Sequence, residues 1–196
     1  GRIYIHDTIS GVLAKSFGPP DSPYMAADIP NLRWQQIADT VVITDGAHPM
    51  KRLVREADNV WTLSNWVWAG TDQQYQPFTR FADSLITVKP SARTGTITLT
   101  FSAPVSTANW NGRLLRIKTI AVKITSHDST TSMKCTVVQE PDEDTQLVDT
   151  KATTDWQEQA FGTVGGYPRC VALHQNRLWV AATVRKPTRL WSSVSD

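Results

Sequence analysis

Two cysteines in 196 residues, Cys135 and Cys170, are too few for a disulfide framework. Both sit in apolar, strand-like runs and read as free buried thiols. None of the four histidines, His6, His48, His127 and His174, stands in a His-x-x-x-His or Glu-x-x-His spacing. Each reads as a turn or surface histidine, so no metal and no cofactor is expected. No apolar run is long enough to span a bilayer. Charge of one sign is lacking as well: 20 Lys+Arg against 18 Asp+Glu leave +2, too little to argue for a surface that grips nucleic acid. There is no low-complexity tract, and 40% hydrophobic with 19% charged residues excludes disorder throughout. The chain opens with Gly1-Arg2-Ile3-Tyr4-Ile5 and stops at Asp196, just after a strand, which reads as a piece of a longer protein.

What is present is a succession of short β signals. The strongest stretch runs from Gly165 to Ser193. A Gly-Gly-Tyr-Pro turn leads into an apolar strand (Cys170 to Leu173), the tight turn His174-Gln175-Asn176-Arg177 and a second strand (Leu178 to Thr183). A polar loop around Pro187 then leads to a third strand at Leu190 to Ser193. The run from Asp39 through Val41-Val42-Ile43-Thr44, Asp45-Gly46-Ala47-His48-Pro49 and Met50 to Arg55 repeats the plan: a polar turn residue, an apolar strand, a Pro-containing loop, then a basic residue before Leu. Two such copies suggest a repeated sheet, as in a propeller-like array.

Elsewhere, Arg2 to Ile5 and Gly11 to Ala14 read as strands. Gly18 to Pro23 is a rigid connector, and Ala26 to Asn31 has room for one helical turn, with Asp28 able to cap it. Val60 to Trp68 alternates large apolar with small polar residues and reads as a half-buried strand. Trp66 and Trp68 share a parity that Trp61 does not, so at least one ring needs cover on the second face, which favours oligomerisation. From Ala82 to Glu158, short Thr-rich strands dominate, and Leu114 to Ile124 follows a period of two that slips near Thr119, as a bulge or turn would cause. The expected fold class is all-β: a partial propeller-like antiparallel array interrupted by an inserted small β-sandwich or barrel. Its divisions are residues 1–80 for the first part of the array, 81–159 for the insert and 160–196 for the return.

Two ordered motifs carry a resemblance. The segment Gly166-Tyr167-Pro168-Arg169 to Asn176-Arg177-Leu178-Trp179, followed by Pro187 to Ser193, resembles the tail tube or nozzle proteins (tail tubular protein B-like) of short-tailed bacteriophages and related prophages. Upstream, Ser22-Pro23-Tyr24, Asp28 to Arg33, Gln36 to Asp39, and His48-Pro49 to Lys51-Arg52-Leu53 resemble the earlier motif of the same proteins, in the same order. A fainter echo lies at Asn111 to Ile117. The resemblance implies a structural virion protein, located in the tail and not an enzyme. It also implies a homo-oligomeric ring for DNA passage that contacts an adaptor and fibres or spikes. Basic residues Lys51, Arg52 and Arg55 and their counterparts Arg185, Lys186 and Arg189 would then project from one rim, where they would touch DNA transiently, dock an acidic neighbour or simply guard a solvated edge.

The residues themselves also offer other chemistry. Eight tryptophans suit a carbohydrate-binding module of a host-recognition protein, and Asp58, Asp155 and Glu158 flank tryptophans that could stack on sugar rings beside glycosidase carboxylates. His127-Asp128-Ser129 contains the residue types of a hydrolase triad, but neighbours on one turn cannot form its geometry alone. The acidic run Glu140-Pro141-Asp142-Glu143-Asp144 lacks the alternation and turn Gly of a helix-loop-helix calcium loop and reads as a solvated tip.

Overall fold

The computed structural model describes residues 1–105, 107–139 and 145–193, so the acidic run lies outside the described residues. The protein is all-β with antiparallel sheets. In chain order the strands are β1 (Ile3–His6), β2 (Leu13–Phe17), β3 (Arg33–Ile37), β4 (Thr40–Thr44), β5 (Lys51–Ala57), β6 (Val60–Asn65), β7 (Phe78–Arg80) and β8 (Val88–Pro90). They continue with β9 (Thr96–Phe101), β10 (Leu114–Ile117), β11 (Ile120–Ser129), β12 (Ser132–Val137), β13 (Trp156–Gln159), β14 (Cys170–His174), β15 (Arg177–Ala181) and β16 (Leu190–Ser192). Short 3₁₀ turns occupy Ala26–Asn31, Thr71–Gln73 and Ala108–Trp110.

The chain forms two compact units, residues 1–66 with 165–196, and residues 67–164. These boundaries differ from the expected 80/81 and 159/160. The reason is pairing: β7 hydrogen-bonds to β13 and so belongs with the middle of the chain.

In the first unit, β1 and β2 form a hairpin whose turn is held by Asp7. The Asp7 carboxylate accepts N–H bonds from Ser10 at 2.6 Å and Ile9 at 3.0 Å, and the Ser10 bond is the main cause of its lowered pKa. A four-stranded meander β3-β4-β5-β6 follows, and a three-stranded meander β14-β15-β16 closes the unit. The β-branched run Val41-Val42-Ile43-Thr44 favours the pleat, and its alternation decides the faces. Ile43 and Val41 join Leu53, Leu63, Trp61, Phe17 and Tyr24 in one core, while Val42 and Thr44 on the other face are also buried. The central strand is therefore covered on both sides. β14 lies against β3 and β4.

The two meanders share a plan. Two-residue turns join β3 to β4 at Ala38-Asp39 and β14 to β15 at Gln175-Asn176, placing Asp39 and Asn176 at the same turn position. Ala38 (φ +46), Gln175 (+49) and Asn176 (+57) are all left-handed, the twist that suits a tight hairpin. Beyond the next strand the copies diverge. Ile43 pairs with Lys51, whereas Val180 pairs with Trp191, so Trp191 rather than a loop arginine is the counterpart of Lys51.

The second unit is a single seven-stranded sheet, β7-β13-β10-β11-β12-β9-β8, rather than two facing sheets. It curls around one core: Val88, Leu99 and Phe101 from one end cluster with Leu115, Ile117 and Trp156 from the other. Val88 and Thr153 exchange backbone N–H···O bonds of 2.9 Å, tying the β8 edge to the segment that enters β13. The slip near Thr119 is a turn: Lys118 takes φ +56 between β10 and β11, and its N–H donates to the Asp155 carbonyl at 2.8 Å.

Two further corrections follow from the placement of side chains. Cys135 is buried in β12, and burial pushes its thiol up to about 12, but Cys170 is exposed because it opens β14. β6 ends at Asn65, so Trp66 and Trp68 lie past the strand and their shared parity has no consequence. Trp68 instead stacks on Phe161 at 5.8 Å.

Candidate functional site

The two motif-bearing segments, far apart in sequence, meet within the first unit. The Gly-Gly-Tyr-Pro-Arg stretch threads between the β4–β5 loop and the loop that leads to β16. Tyr167 N–H donates to the Gly46 carbonyl at 3.4 Å, and Arg185 N–H to that of Gly165 at 3.4 Å. Arg169 N–H is shared between the carbonyls of Ala181 (3.0 Å) and Ala182 (2.9 Å). Two glycines make the fit possible. Gly46 (φ +84) would carry a Cβ only 2.5 Å from Arg169 Cγ, and Gly166 (φ +83) one 3.0 Å from the Val184 backbone nitrogen. Pro168 is buried, and burial raises the pKa of the Tyr167 hydroxyl.

The remaining motif residues are distributed around this junction. Asp39 and Asn176 form the paired turns. Arg177, Leu178 and Trp179 are on β15, where the Trp179 indole N–H reaches the His174 carbonyl at 3.2 Å. Pro49 lies in the β4–β5 loop beside a locked turn: Asp45 Oδ1 accepts N–H bonds from Ala47 (3.0 Å) and His48 (2.9 Å), while Oδ2 meets His48 Nδ1 at 2.6 Å. Asp28, in the first 3₁₀ turn, accepts the Met25 N–H at 2.8 Å. One donor atom from each of Asp28, Asp45 and His48 lies within 4.8 Å of the others. Sequence reasoning passed over this trio, because only the local Asp45-x-x-His48 pair could have signalled it.

The six basic residues do not occupy equivalent places. Lys51, Arg52 and Arg55 are on β5, whereas Arg185, Lys186 and Arg189 lie in the loop before β16. Arg52, Arg185 and Arg189 are exposed, and Arg55 pairs with Asp58. Lys51 is only 8% exposed, since alternation puts it on the same face as Leu53. Burial lowers the pKa of its ammonium, partly countered by Asp21. A folded-state value below the unfolded one means that the folded protein holds fewer protons there. Stability is therefore expected to rise with pH as it passes through the folded pKa towards the unfolded value. Lys51→Met removes the desolvated charge, so thermal melts should show a higher midpoint near neutral pH and a flatter alkaline limb.

The carboxylates weighed as glycosidase groups have other occupations. Glu158 is buried with Arg113, Nη2 to Oε2 being 3.5 Å. Asp155 is exposed, and Asp58 sits on the β5–β6 turn, in the other unit. Trp110 and Trp156 are buried in the core of the second unit. In the His127-Asp128-Ser129 run, Asp128 accepts its hydrogen bond from Ser126 at 2.7 Å.

Compared with known families and with curated proteins, the chain matches none.

Proposed function

We propose that this chain is part of a tail tube or nozzle subunit of a short-tailed bacteriophage or prophage. It works in a ring that passes DNA and contacts an adaptor and fibres or spikes. The observation that carries the reading is the junction just described: the two segments that resemble the tail proteins, separated by the whole of the second unit, interlock through Gly46, Gly166, Tyr167 and Arg169. Two meanders with matched turns at Asp39 and Asn176 support adjacent blades of a propeller-like array, with residues 67–164 as a module inserted between them. The role is mechanical, and no residue is nominated as catalytic.

In this reading the exposed Arg52 and Arg189 would face the DNA. Particles carrying Arg52→Glu with Arg189→Glu should assemble and then deliver their genome less efficiently, more so at low salt. Unchanged delivery removes the DNA-facing role.

A carbohydrate-binding module is the second reading, favoured by Trp34, a ring 65% exposed on β3. Titration with host surface glycans decides between them. Saturable quenching of tryptophan fluorescence that is lost in Trp34→Ala supports the module, and a flat titration supports the tail subunit.

A further inference from the structure

We propose that Asp28, Asp45 and His48 bind one divalent transition-metal cation, zinc(II) being the best match, which clasps the Ala26–Asn31 turn to the β4–β5 loop. The inference is independent of the tail reading.

Charge is the first argument. The Asp45 side chain is 1% exposed, and a carboxylate removed from water needs compensation. A second carboxylate, Asp28, lies within 4.8 Å of it, yet the only other member of the cluster is one imidazole. Even with His48 protonated the trio keeps a net negative charge, and with His48 neutral neither carboxylate has a counter-charge within it, only hydrogen bonds. A divalent ion reverses that balance and favours neutral imidazole, the form that ligates.

Geometry is the second. Two ligands on a tetrahedral zinc at about 2.0–2.1 Å stand about 3.3 Å apart. His48 Nδ1 and Asp45 Oδ2, at 2.6 Å, need to open by somewhat under 1 Å, and no pair in the trio, all within 4.8 Å, needs to close by more than about 1.5 Å. Asp45 is already oriented for this, because two backbone N–H groups hold Oδ1 and leave Oδ2 facing His48. The imidazole argues for a transition metal over calcium or magnesium, which take oxygen ligands.

The independent observation is Tyr24. Its side chain is 95% buried (5% exposed), its hydroxyl has no hydrogen-bond partner, and its ring meets the His48 ring edge to face at 5.9 Å. A buried hydroxyl without a partner, on a ring that packs against the His48 imidazole, is what a metal-bound water would satisfy.

The test is calorimetric titration of zinc chloride into the chelator-stripped full chain. Saturable binding of one equivalent is expected, with a higher melting midpoint on loading and no comparable response to calcium chloride. Asp28→Asn keeps an oxygen for the Met25 N–H, so it should fold as the parent does by near-ultraviolet circular dichroism yet bind zinc at least tenfold more weakly. His48→Ala should weaken binding similarly. No saturable binding, or one equivalent bound equally well by a folded Asp28→Asn variant, overturns the proposal.

Discussion

Replacing Trp156 by alanine is expected to destabilise the protein by about 3–5 kcal/mol, the range for emptying a large aromatic site in a packed core. Trp156 is 3% exposed, stacks on Phe81 at 5.1 Å and meets Phe101 edge-on at 5.1 Å. Its indole N–H donates to the Ile86 carbonyl at 2.8 Å, so alanine also strands a buried acceptor. Because Val88 beside that segment is tied to Thr153, the loss should loosen the closure of the curled sheet as well as its core. Guanidinium unfolding followed by near-ultraviolet circular dichroism measures the change. A tryptophan kept to stack on sugars at a surface would instead leave the midpoint nearly unchanged.

The second large effect is expected at Glu158. This carboxylate is 2% exposed and faces Arg113, whose guanidinium sits 4.8 Å over the Trp110 ring and donates to the Gln159 carbonyl at 2.8 Å. Glu158→Ala leaves a buried cation with its carboxylate removed, at a cost of about 3–5 kcal/mol. Replacing both partners, Glu158→Leu with Arg113→Met, should recover much of that loss, since the pair's desolvation penalty goes with it. Equilibrium unfolding of the three variants reads this directly. If Glu158 were instead a catalytic acid, Glu158→Gln would abolish activity while sparing stability.

Local chemistry made much of the architecture legible. Val41 to Thr44 could hardly be anything but a strand, and His174-Gln175-Asn176-Arg177 announced its hairpin through residues that tolerate a left-handed backbone. Lys118 hid the turn between β10 and β11, because lysine carries no turn preference and only the slip in periodicity betrayed it. The edges of the middle unit differ from the expected ones for a different reason: β7 is held by β13, a pairing across most of that unit that no local window contains. The same limit applies to the site. Gly46 and Arg169, or Asp28 and Asp45, become neighbours only once the sheets are packed, whereas the burial of Lys51 follows from its alternation with Leu53.

Electron microscopy of a tailed particle made with this protein's gene tests the proposed tail role most directly. Multiple copies are expected, arranged as a closed ring about the tail axis, with the exposed Arg52 and Arg189 facing the DNA path. A chain found on a peripheral fibre, or missing from the particle, would contradict it.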